Sequence, residues 1–156
     1  MLLVWHGTNV EDISTFYNLS HFGTKKSAQS RLGCWQPYNT FLYKCYINSR
    51  GFVEIQDYGN EMDMFAKDLL DQKILNSEEY SKVSIRLYQR DIETWRKNIS
   101  KILINKGIFG FKYVNVAEGI GDTSYIVVDG AEVDILNVYE YDYKNKSYNT
   151  GDEICI

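Results

Sequence analysis

The chain has 156 residues, a length that fits one domain burying about 68–70% of its unfolded surface. Its 44% apolar and 24% charged content, with one proline, excludes collagen-like, low-complexity and disordered chains. Lys plus Arg number 17 against 21 Asp plus Glu, a net charge of -4 that argues against coating nucleic acid by bulk charge.

The charge is unevenly spread. Residues 13–53 hold five basic side chains (Lys25, Lys26, Arg31, Lys44, Arg50) and no acid, whereas residues 108–142 hold one Lys against seven acids. A basic N-terminal part suits an anionic ligand, and an acidic C-terminal part suits a developing cation. Cys34, Cys45 and Cys155 are odd in number and lack CxxC spacing or a nearby histidine pair, so neither a disulfide framework nor a metal site is expected. The opening MLLVWHG has no basic stretch and is too short in apolar residues for a signal segment or membrane span, so a cytoplasmic protein without membrane association is expected.

In chain order, residues 2–6 read as a short buried strand closed by Gly7, and residues 9–18 as a polar run with one aromatic pair. Residues 25–32 form a short helix stopped at Gly33. The string TFLYKCYIN at 40–48 is β-prone, and with residues 52–55 across Arg50-Gly51 it predicts a hairpin. Two helical patterns follow, residues 61–75 with Phe65, Leu69 and Leu70 on one side, and residues 87–105 with Ile92, Trp95, Ile99, Ile102 and Leu103 at the helical period, ended by Gly107. Strands are expected at 109–114, 124–128 and 133–139, then a polar, tyrosine-rich tail that is either a last edge strand or a loose end. No repeat or linker interrupts this order. It predicts a single α+β domain over 1–156 with mainly antiparallel sheet.

Three segments carry chemistry. His6-Gly7-Thr8 puts an imidazole, a close-approach glycine and a hydroxyl at a strand end. His21-Phe22-Gly23-Thr24 repeats that set, with Lys25-Lys26 and a helix start behind it, an arrangement suited to phosphate. The loop 115–122 carries Glu118 and Asp122 among Gly119 and Gly121, just before a strand. Read singly, each also fits an ordinary structural role: a half-buried histidine with a turn glycine, an N-cap, and a solvated acidic turn.

Together the segments resemble the ADP-ribosyltransferase fold, the group that includes the diphtheria-toxin-like poly-ADP-ribose polymerases and many phage and bacterial mono-ADP-ribosyltransferases. The resemblance covers residues 2–34 and 107–136. In the polymerase-like branch the strand after the acid loop reads like NEYIVYD, and Thr123-Ser124-Tyr125-Ile126-Val127-Val128-Asp129 falls in that frame. Ser124 stands where that branch has its catalytic glutamate. Either the loop supplies the acid, as in small phage-type members with a pattern like NxxEGxGDSYI, or the chain is a silent relative.

The resemblance implies a split antiparallel β-sandwich with flanking helices and NAD as substrate. His6 would bond the adenosine-side ribose, the Gly7 backbone would hold the nicotinamide carboxamide, and Thr8 would assist. Phe22, or one of the neighbouring aromatics, would stack on the nicotinamide, Thr24, Lys25, Lys26 and Arg31 would lie near the diphosphate, and Gly23 and Ser124 would complete the binding set. Glu118 first, and Asp122 second, would stabilise the ribose cation formed as nicotinamide leaves; Asp122 could instead position the acceptor. The implied activity is ADP-ribosyl transfer to a target protein, by a phage effector on a host or defence-system component. The other readings are an inactive binding or inhibitor protein and an NAD-dependent enzyme acting on nucleic acid. No G-x-S-x-G is present, and the loop glycines precede a strand rather than a helix, which excludes a Ser-His-Asp hydrolase and a dinucleotide-binding Rossmann unit.

Overall fold

A computed structural model describes residues 1–35, 38–57, 62–88, 91–116, 119–142 and 144–148. Chain order gives β1 (Leu2–Thr8), β2 (Ser20–Phe22), α1 (Lys25–Leu32), β3 (Thr40–Ile47), β4 (Phe52–Glu54) and α2 (Met62–Asp71). Then come α3 (Ser77–Val83), α4 (Ile92–Asn105), β5 (Gly110–Val114), β6 (Thr123–Val127), β7 (Asp134–Asp142) and β8 (Ser147–Tyr148). The fold is α+β, with two open four-stranded sheets ordered β1-β3-β7-β8 and β2-β6-β5-β4. Every pair is antiparallel except β4 with β5, whose connection through α2, α3 and α4 is long enough for a parallel crossover.

Strand alternation builds the layers. Phe41, Tyr43, Cys45 and Ile47 of β3 meet Val4, Phe16, Phe22, Val127 and Val138 between the sheets, while Leu42 faces the other way onto Ala28 and Leu32 of α1. On the far side of the second sheet, Phe111, Tyr113 and Ile126 pack against Phe65, Leu69, Val83, Trp95, Ile99 and Leu103. The chain is therefore layered helix, sheet, sheet, helices. Ile126 and Val127 are adjacent on β6 and serve different cores, as the two-residue period requires.

The predicted hairpin of 40–48 with 52–55 does not form. β3 turns Phe41, Tyr43, Cys45 and Ile47 to one core and Leu42 to α1, and is flanked on its two edges by β1 and β7, whereas β4 joins the other sheet through β5. Gly110 makes that second pairing possible, because a Cβ there would overlap the Phe52 ring. The helix read over 87–105 starts later, capped by Asp91 accepting from the Thr94 N–H at 2.9 Å, behind a 3₁₀ turn Ile85–Tyr88. Gly107, with φ 75°, ends it: the Ile108 and Gly107 amides bond the Leu103 and Ile104 carbonyls. Helix α1 ends at Leu32 with Gly33 as its C-cap, as expected, but Gly33 is right-handed and the chain tightens into a 3₁₀ turn Gly33–Trp35. Neither β2 nor α3 was expected, although Asn76 and Glu79 form a reciprocal capping box at the start of α3. β8, in the tail, pairs with the end of β7 as an edge strand. No helix among the described residues is long and apolar enough to cross a membrane.

Candidate functional site

The two sheets touch edge to edge at one bridge, where Trp5 and Gly23 exchange backbone hydrogen bonds of 2.9 Å. Just beyond it, the His6 ring rather than another amide takes the His21 carbonyl, at 2.7 Å from Nδ1. Beside this junction lies a cavity of about 620 Å³, within the usual size range of small-molecule clefts. Residues from both histidine segments, the 9–17 loop, α1, α4 and the two flanks of the acid loop line it.

The loop over the cavity is held from below. Tyr43, buried in β3, donates its hydroxyl toward the Val10 and Glu11 carbonyls and accepts from the Ile13 amide at 3.1 Å. Phe16 from this loop stands edge-on to Phe22 and His6, with ring centres 5.0 Å apart in each case.

Their surroundings push both histidines toward the neutral form. A carbonyl only accepts, so His6 Nδ1 carries the proton and Nε2 is left as an acceptor. Burial pushes the His6 pKa below its ordinary value, against the opposing pull of the His21 carbonyl. His21 bonds the Tyr113 hydroxyl at 3.0 Å through Nδ1. Burial among protein atoms, with His6, Arg96 and Arg31 adding to it, pushes its pKa down to about 4, although water reaches the ring through the cavity.

The acid loop folds back as its glycines suggest: Gly119 and Gly121 have φ of 75° and 89°. Asn115 donates its amide to the Asp122 carbonyl and its side chain to Ser124 Oγ, at 2.8 and 3.2 Å, so the loop's two ends are tied together. Asp122 Oδ2 accepts from Thr24 Oγ1 at 2.6 Å, and that same Thr24 oxygen accepts from the Ser27 amide as the N-cap of α1. Asp122 thus sits at the positive end of α1. Glu118 lies outside the described residues.

Of the residues expected to bind, His6, Gly7, Thr8, Phe22, Gly23, Arg31 and Ser124 line the cavity. Thr24 and Lys25 do not: the first caps α1 and the second lies 5.1 Å from the centre of the Trp5 ring. Phe22 is buried in the core between the sheets. Gly7 and Gly23 have a packing duty as well. A Cβ at Gly7 would collide with the Ala28 carbonyl of α1, and one at Gly23 with Ser27 Oγ. Among the five N-terminal basic residues, Arg31 alone reaches the cavity, where its guanidinium lies 5.8 Å from the Trp35 ring centre.

Sequence reasoning missed Arg96, Tyr17, Tyr113 and Asp57, all of which line the cavity. The position of Arg96 directly after the inward Trp95 places it at the edge of the apolar stripe, and that was the available signal.

No protein-family model and no curated protein sequence matches the chain. A solved structure described as an anti-CRISPR protein aligns over 86% of this chain and 94% of its own, at 12% identity and a TM-score of 0.36. A likeness that loose bears on neither fold nor function.

Proposed function

We propose that the cavity takes NAD as substrate and that the chain is a mono-ADP-ribosyltransferase with an ADP-ribosyltransferase-like fold. The acceptor on this reading is a protein, a host or defence-system component. The observation that carries it is one shared wall: His6, with its Nε2 an acceptor, and Asn115 and Ser124 at the two ends of the acid loop, line the same cavity. The size of the cavity and the presence of Arg31 fit an elongated, anionic dinucleotide.

In this reading His6 Nε2 accepts a ribose hydroxyl. The bond between ribose C1′ and the nicotinamide nitrogen breaks, and its electron pair neutralises the pyridinium as nicotinamide leaves. A carboxylate of the loop, Glu118 or Asp122, holds the ribose 2′-hydroxyl and faces the cationic carbon, so it favours the transition state over the ground state. The acceptor's lone pair then forms the new bond to C1′, and its proton passes to solvent or to a loop carboxylate.

The test is labelled NAD with a cell lysate, read for free nicotinamide and for a labelled protein. Glu118→Gln should lower nicotinamide release about 100-fold or more with the fold intact, by the scale of other electrostatic catalytic groups. No NAD binding and no release from the unaltered protein would defeat the proposal.

A second reading has an observation of its own. Asp122 is already engaged by Thr24 at the start of α1, and Ser124 is buried against Asn115 where the polymerase-like branch has its acid. Both are what a silent binding protein would retain. A Glu118→Gln, Asp122→Asn double variant that still inhibits a partner undiminished would favour that reading.

A further inference from the structure

The α4 wall of the cavity holds a cation that the chemistry above does not use. Arg96 is half-buried and lines the cavity, with its guanidinium carbon 5.7 Å from the Tyr17 ring centre. It makes no ion pair among the described residues. A partly desolvated guanidinium with only an aromatic face for company has lost hydration that no carboxylate replaces. Burial accordingly lowers its pKa.

His21 stands beside it. Both Arg96 and His21 line one cavity, and the Arg96 charge helps hold the His21 ring neutral. The Tyr113 hydroxyl at His21 Nδ1 can donate, in which case Nε2 carries the proton and becomes a neutral N–H donor. In that tautomer the wall presents a guanidinium fork and an imidazole N–H as donors. Asp57 also lines the cavity and faces His21, but one of its oxygens is held by the Val116 amide at 2.9 Å.

We infer that Arg96 and His21 form a phosphate-recognition subsite on the α4 wall of the cavity, with Arg96 rather than Arg31 supplying the guanidinium. Its ligand is a phosphate or diphosphate group, whose equatorial oxygens match the guanidinium fork. That group comes either from the dinucleotide itself or from a phosphate-bearing acceptor. The subsite does not depend on catalysis of any kind.

The measurement is an NMR titration of the full chain with inorganic phosphate at pH 7, following the His21 ring signals. Saturable shifts are expected in the unaltered protein and in Arg31→Gln. Arg96→Gln should weaken binding about 10-fold or more, the scale of a charge-assisted hydrogen bond, and Arg96→Lys should fall between. Unchanged amide signals in both sheets confirm that each variant is folded. Absence of a saturable shift, equal binding by Arg96→Gln, or equal loss in Arg31→Gln would overturn the subsite. A parallel titration with ADP-ribose separates the sources. An Arg96-dependent shift at His21 assigns the subsite to the dinucleotide's diphosphate, and phosphate binding that persists beside bound ADP-ribose assigns it to the acceptor. Nicotinamide release is not read, so failure of the transferase reading leaves this result standing.

Discussion

His6-Gly7-Thr8 and His21-Phe22-Gly23-Thr24 are nearly the same phrase in sequence, yet the fold gives them different work. The first forms the last three residues of the edge strand β1. Its glycine is pressed against the backbone of α1, and its histidine is fixed by a carbonyl. The second ends a three-residue strand, its glycine meets the Ser27 side chain, and its threonine caps α1. One segment seats the helix and the other starts it.

Substituting each glycine breaks this comparison most sharply. Gly7→Ala drives a methyl into the Ala28 carbonyl and to 2.9 Å from Leu32 Cδ2, neither of which can yield without moving the helix. A loss of about 3 kcal/mol in urea unfolding is expected. Gly23→Ala meets side-chain hydroxyls rather than backbone, Ser27 Oγ and Ser124 Oγ at 3.0 Å, and displacing Ser27 Oγ costs its bond to the Thr24 carbonyl, so the loss should be nearer about 1 kcal/mol. Equal losses would show that the helix does not rest on β1 as described.

The loop joining the two segments comes next. Tyr43→Phe removes the hydroxyl that serves the Val10 and Glu11 carbonyls and the Ile13 amide. The expected cost is about 2 kcal/mol, accompanied by faster amide exchange at Ile13. Thr24→Ala follows, at about 1 kcal/mol, because it deletes the cap of α1 together with the Asp122 contact. Thr8→Ala, which deletes one 3.2 Å bond from the Val10 amide, should cost less than Thr24→Ala in the same assay.

Local chemistry made part of this molecule readable. Thr24 at the N-cap, the Trp95, Ile99 and Leu103 stripe and Gly107 at the end of α4 each declare themselves within one or two turns of chain. Pairing is another matter. Nothing within 40–55 records that β3 needs β1 and β7 on its edges, because that demand arises only when both of its faces are covered. β2 is three residues long and owes its conformation to β6 and to the Trp5 bridge. The site divides the same way. Its histidines and Arg31 stand in contiguous motifs, whereas Arg96, Tyr113 and Asp57 converge on His21 from three distant stretches of chain.

The smallest expected effect separates the two imidazoles by their protons. Folding lowers the His21 pKa from 6.5 to about 4, so between these values the unfolded chain binds more protons than the folded one. Stability therefore rises with pH across that window, is complete above 6.5, and falls as pH drops toward 4. Carboxylates contribute in part of the same range, so the informative quantity is the difference between the unaltered protein and His21→Asn. That difference should shift in favour of the variant as pH falls from 7 to 4.5 in urea unfolding. His6→Asn should show the same direction, since burial lowers that ring too, but it also forfeits the bond to the His21 carbonyl and should carry a loss that persists at pH 7. A pH-independent difference for His21→Asn would mean that the ring titrates normally, hydrated by the water that reaches it through the cavity.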